Sequence, residues 1–191
     1  MVSSQRDNPL FQTVKMRKFI EYHLGICKYY LDKDLTGSLD TLRNILSDKD
    51  HQYFQEDVET LIAIANILSE EKHLEESEEY YLKALELLGN RPADSNYQQK
   101  LRLYYNYQRF LKNTEKYSKA VEYANKGIRV CILHETLYLH GEFYFYKGVS
   151  LIKLKETKKG IESLQKAMDI FTIAEKEKFK EAAQKLIKNY S

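Results

Sequence analysis

Apolar residues recur three and four apart in run after run of this chain, and short polar segments separate the runs. That period puts them on one face of a helix. The first run, 9–31, opens with Asn8-Pro9, an N-cap followed by proline at the first helical position, and carries Phe19, Ile20, Leu24, Cys27 and Leu31. A turn at 32–35 leads to a second helix bearing Leu39, Leu42, Ile45 and Leu46. Further helices are predicted at 51–70, 74–88, 94–111, 117–132, 135–154 and 158–173, with a last amphipathic one at 176–190. Gly89-Asn90 reads as a left-handed cap on the fourth, and Arg91-Pro92 opens the longest connection. Seven Gly and two Pro leave little material for hairpin turns between strands, so the expected class is all-α.

The helices repeat in pairs. Small or short residues recur with gaps of 12 and then 7: Gly25/Gly37/Asn44, Ala65/Ser77/Ala84, Gln108/Ala120/Gly127 and Gly148/Gly160/Ala167. The sets begin 40, 43 and 40 residues apart, and each 12-residue gap spans a predicted turn. Small side chains are needed where antiparallel helices touch and where one hairpin stacks on the next. A fixed register of them marks one supersecondary unit repeated along the chain. Asn44 and Gln108 break the rule. The expectation is one domain over 1–191, with repeats at 10–48, 51–89, 93–132 and 135–173 and the final helix hiding the open end.

This register resembles the tetratricopeptide repeat, which implies a right-handed superhelix of four helical hairpins plus a C-terminal capping helix. The family's usual period is roughly 34 residues. The longer intervals here lengthen each helix by nearly a turn. The family's Trp is replaced by Glu21, Leu61, Tyr104 and Tyr144, and its Pro at the end of the second helix is absent. Within that class, the stretch 140–190, HGEFYFYKGVSLIKLKETKKGIESLQKAMDIFTIAEKEKFKEAAQKLIKNY, is similar to the last repeat of Gram-positive peptide-pheromone receptors. These are the Rgg/PlcR-type transcription regulators and their Rap relatives. The resemblance implies a peptide-binding sensor domain that forms a homodimer. Such regulators begin with a helix-turn-helix domain, and nothing before Pro9 could supply one. Either the chain is the isolated sensor half of such a protein, with DNA reached only through a domain absent from it, or it is a stand-alone relative without DNA binding.

Stacked hairpins curve with the first helix of each pair on the concave side. Counting from the small residue of each first helix gives Phe19, Tyr22, Ile26 and Tyr29, then Glu59, Ile62, Asn66 and Ser69. The third repeat gives Arg102, Tyr105, Arg109 and Lys112, with Asn106 at the border, and the fourth gives Glu142, Phe145, Val149 and Ile152. Aromatic and apolar pockets with a few amides and charges suit a short linear peptide in extended form. An Asn side chain can donate to and accept from a peptide backbone at once. In similar receptors asparagines on inner helices do this, and Asn66 and Asn106 are the matching residues. The candidate peptide-binding set is Tyr22, Tyr29, Ile62, Asn66, Arg102, Tyr105, Asn106, Arg109 and Phe145, with Arg102 and Arg109 meeting an acidic side chain or terminal carboxylate. Packing between helices is the competing role for the aromatics, and a solvated face is the competing role for the basic stripe.

Charge separates along the chain. Residues 56–86 hold ten acidic residues and two lysines, whereas 91–130 hold nine basic and three acidic residues. The total is only +2, too little to imply nucleic acid or an anionic membrane. No apolar run approaches a membrane span. Cys27 and Cys131 give no disulfide framework and read as reduced core thiols of a cytoplasmic protein. No P-loop, Gly-rich dinucleotide turn, GxSxG or HExxH occurs, so no enzyme and no cofactor is expected. His23/Cys27 and Cys131/His134 lack the further ligands of a zinc site, and no metal is expected.

Two other classes fit the same repeats. A co-chaperone-like adaptor would grip a C-terminal carboxylate with lysines and arginines around two asparagines. Placing Asn66 and Asn106 there puts Ile62, Glu142 and Tyr146 where its basic residues belong, which weighs against it. A structural dimerisation array would bind no ligand.

Overall fold

The computed structural model describes residues 14–47, 55–89 and 96–190, and every regular element among them is a helix. In chain order these are α1 (Val14–Tyr30), α2 (Leu35–Ser47), α3 (Gln55–Glu70), α4 (Leu74–Gly89), α5 (Tyr97–Asn113), α6 (Tyr117–Leu133), α7 (His140–Lys153), α8 (Thr157–Ile173) and α9 (Glu177–Tyr190). The expected Asn8-Pro9 cap, the start of the third helix at 51–54, Asn90 and the Arg91-Pro92 connection lie outside the described residues. Two compact units form, Met1–Arg91 with α1–α4 and Pro92–Ser191 with α5–α9. In the first, Leu39, Leu42 and Ile45 of α2 meet Ala63, Ile64, Ile67 and Leu68 of α3 in one apolar cluster. In the second, Leu101, Ile128, Cys131 and Phe143 do the same for α5, α6 and α7.

The turns explain the repeat. Lys72, Glu115 and Lys155 adopt left-handed φ values of 67°, 61° and 67° after α3, α5 and α7. The next N–H then reaches back five residues: His73 donates to the Leu68 carbonyl at 2.9 Å, Lys116 to Leu111 at 2.8 Å and Glu156 to Leu151 at 2.9 Å. This is the Schellman pattern, which satisfies carbonyls that the helix end would otherwise orphan. Glu135 and Glu175 close α6 and α8 with the same backbone sign. A non-glycine residue in this conformation costs roughly 1–2 kcal/mol, and the recovered hydrogen bonds offset it. No described glycine takes positive φ, so Gly89 does not form the left-handed cap expected of it. The seventh helix also begins later than its apolar period suggests. Leu139, at φ 59°, turns the chain, and α7 starts at His140.

The first hairpin is one residue longer in its turn. Lys33 is the left-handed residue, and Asp34 N–H reaches six residues back to Lys28 O at 2.9 Å. The residue that faces Gly25 is therefore Ser38, not Gly37. Its buried hydroxyl donates to Gly25 O at 2.7 Å, as Ser77 Oγ donates to Ala65 O at 2.8 Å in the second hairpin. Gly37 instead gives its N–H to Asp34 Oδ1 at 2.8 Å, the N-cap bond of α2. Asn44 is exposed, and the core position next to it belongs to Ile45. The apparent break at Asn44 thus comes from the longer turn.

Elsewhere the small residues sit at helix crossings. A Cβ on Gly148 would lie 2.7 Å from Leu164 Cγ and 2.8 Å from Gly160 O. Gly127 leaves room for the ring of Phe143. Gln108 fills a small-residue slot yet is fully buried, because its Nε2 reaches across to donate to Phe143 O of α7 at 3.3 Å. The Trp position is occupied by Tyr104, edge-on to Tyr123 at 5.7 Å, and by Tyr144, flanked by Lys147 and Lys166. Helix α9 closes the second unit. Phe179 stacks on Phe171 at 5.2 Å, Ala183 is buried, and Lys176 pairs with the buried Glu142 at 2.5 Å.

Candidate functional site

The first helices of the hairpins carry the candidate side chains, and each unit is best taken alone. In the first unit, Tyr22, Ile26 and Tyr29 of α1 lie half-buried against the α2–α3 cluster. The Tyr29 hydroxyl donates to Glu71 Oε1 at 2.7 Å; burial, then that carboxylate, hold the phenol above its ordinary range. Ile62 is buried at 4% exposure, so it packs in the core of the unit. Asn66 is half-buried, and its Oδ1 accepts from the hydroxyl of Tyr81, a fully buried residue of α4, at 2.5 Å. That bond fixes the amide so that Nδ2 is the end turned away from the Tyr81 hydroxyl. A buried ion pair between Lys18 and Asp57, 2.8 Å apart, ties α1 to α3 nearby.

In the second unit, α5 and α7 bring the candidates together. Arg102, Tyr105, Arg109 and Lys112 fall three or four apart on α5, hence along one face. Tyr105 meets Phe143 edge-on at 6.4 Å and Tyr146 at 5.9 Å, both on α7. Burial, then the neighbouring Tyr146, push the Tyr105 phenol up to about 12. The Arg109 guanidinium lies 5.5 Å from the Tyr105 ring centre, and Lys112 Nζ lies 5.7 Å from that of Tyr146. Lys112 is held below its ordinary range by burial, with Arg109 and Lys153 adding repulsion. Asn106 Nδ2 donates within its own helix to Arg102 O at 2.9 Å.

Phe145 turns the other way, toward Tyr146 at 5.3 Å and Phe171 of α8 at 6.4 Å. Glu142 is buried, with Oε1 on Lys176 and Oε2 lacking a hydrogen-bond partner among the described residues. Ile152 is buried too. Tyr146 and Lys153, absent from the sequence-based set, complete the face opposite α5. An inner helix has two flanks, so a single register does not serve every first helix. The α7 residues facing α5 sit one position further on than those facing α8.

Other chemistry is sparse. The described residues hold no group of three His, Cys, Asp or Glu suited to a metal ion. Cys131 is buried, and desolvation, then Glu142, push its thiol up to about 12. None of the described helices is long and apolar enough to cross a membrane.

Residues 3–190 match the RNPP family C-terminal domain, which is nearly the whole chain. The chain belongs to the RNPP family. Its fold is similar to that of Bacillus thuringiensis PlcR in complex with the peptide PapR7 and DNA: TM-score 0.80, 22% identity, covering 95% of this chain and 65% of that one. Against the apo form of the same protein the TM-score is 0.81 at 22% identity, covering 96% and 70%. A Rap protein complexed with competence and sporulation factor gives 0.63 at 16% identity, covering 90% and 47%. This RNPP chain therefore spans about two thirds of the length of PlcR and about half of the Rap protein. No curated protein matches it. The tetratricopeptide-like helical fold expected from the small-residue register is the fold these structures share.

Proposed function

We propose that this RNPP domain is the peptide-sensing half of a quorum-sensing-type regulator, holding a short linear signalling peptide against the first helices of its hairpins. The observation that carries the reading is the α5–α7 face, where Tyr105, Tyr146, Arg109 and Lys112 remain half-buried or exposed without a covering element in the unit. Side chains arranged for packing alone would be buried, as Tyr107 and Phe110 on the same helix are. Family membership and the likeness to PlcR, crystallised with the peptide PapR7, support the same conclusion. On that face Asn106 serves the peptide backbone; in the first unit, taken by itself, Asn66 with Tyr22 and Tyr29 offers the same kind of contact.

The domain acts in the cytoplasm by binding, not by catalysis. A peptide that contacts two arrangements of the helices unequally shifts the balance between them. The shift passes to a partner or to a DNA-binding domain. The chain works as a homodimer through its last repeat and α9. Native mass spectrometry on protein purified from the source organism tests the reading: a short peptide should travel with it. Protein that is ligand-free after such expression, and that takes up no peptide from the organism's culture medium, would favour the adaptor class instead.

A further inference from the structure

From the α5–α7 face we infer that Arg109, Lys112 and Lys153 form a seat for a carboxylate, so that the peptides this domain takes are acidic. The inference rests on the peptide reading above and names the chemistry of its ligand. Three cations converge here from two helices: Arg109 and Lys112 on α5, Lys153 at the end of α7. None of them has an ion-pair partner among the described residues. The chain does not lack acids, with 28 Asp and Glu against 30 Lys and Arg.

Like charges drawn together repel one another, and at Lys112, the half-buried member, burial adds to the cost. The strain is visible at Lys112, which burial and its two cationic neighbours make a weaker base than usual. An anion bound among the three would relieve it. The faces of Tyr105 and Tyr146, 5.9 Å apart, form an aromatic floor beside the cations and would take the apolar part of the same ligand. A small net charge disfavours a nucleic-acid strand as the anion.

Affinity selection tests this with the full chain immobilised and a randomised library of short peptides, half of it with free and half with amidated C-termini. Retained peptides are sequenced by mass spectrometry for the wild type, K112Q/K153Q, and K119Q, a control that removes one exposed charge on α6. Circular dichroism verifies that each variant is helical. The wild type and K119Q should enrich Asp, Glu or a free terminus roughly tenfold over the library, and K112Q/K153Q should lose that enrichment while still retaining neutral peptides. Peptides retained with no acidic preference, or the same preference in K112Q/K153Q, would overturn the carboxylate seat and leave the peptide reading standing. No peptide retained by any protein would overturn both. Displacement of acidic peptides by a short oligothymidylate at equal concentration would assign the cations to nucleic acid and overturn the seat.

Discussion

The Tyr81 hydroxyl donates to Asn66 Oδ1 at 2.5 Å, so a fully buried side chain of α4 orients an amide on α3. Removing that hydroxyl in Tyr81→Phe leaves Asn66 in place but free to turn. The expected cost is about 0.5–1.5 kcal/mol in urea unfolding, because half-buried Asn66 regains some water. Peptide affinity should fall as well, although Tyr81 lies behind the face. An affinity unchanged alongside the lost stability would make the bond purely structural.

Gly148 faces Gly160 where α7 crosses α8, with no room for a side chain. Gly148→Leu should lower stability by about 1–3 kcal/mol through overpacking, and thermal unfolding by circular dichroism reads it directly. Gly89→Ala, where a Cβ meets nothing within 4 Å, is the matched control and should change little.

Lys112 supplies a pH test. Burial, with Arg109 and Lys153 adding to it, lowers its pKa when folded. The unfolded chain therefore binds the extra proton between the lowered value and the ordinary ~10.4. Stability from this group should rise with pH across that window, the reverse of a lysine that gains a partner. The same lowering makes its amine available at milder pH. In limited acylation followed by peptide mapping, Lys112 should react ahead of its exposure rank, and an acidic peptide should protect it. Indifference of Lys112 labelling to such a peptide would remove it from the seat.

Helix α9 covers Phe171 through Phe179 and ties down Glu142 through Lys176. Deleting residues 176–191 should uncover that apolar surface and leave the Glu142 carboxylate buried without its cation. Sedimentation velocity should show loss of the proposed homodimer, or aggregation. A helical, soluble monomer both before and after the deletion would contradict the assembly.

Much of this fold is legible in the sequence because it depends on local rules. The helical period located the helices, and the small residues marked their crossings at Gly25, Ala65 and Gly148. Gly37 misled because a glycine stood where a small residue was wanted, while the extra residue in the turn passed the contact to Ser38. Gly89 is not left-handed, while α1, α3, α5, α6, α7 and α8 are followed by left-handed Lys and Glu residues whose geometry is compensated by hydrogen bonds that composition does not reveal. At the site, the α5 face could be read by counting. Tyr146 and Lys153 could not, since which flank of α7 meets α5 is a matter of tertiary packing. The Tyr81–Asn66 bond is likewise invisible until α3 and α4 are packed.

The central claim is that the first helices hold a peptide, and titration of the peptide recovered with the protein tests it most directly. Wild type, Asn66→Ala, Asn106→Ala and Arg109→Ala would each be titrated at low and high salt. Losing one partner of a buried hydrogen bond costs about 1–3 kcal/mol, so Asn106→Ala should weaken binding roughly 5- to 150-fold at both salt concentrations. Arg109→Ala, at an exposed position, should have a smaller effect that fades with salt. Affinity unchanged in all three variants would contradict the account and move the binding surface off these helices.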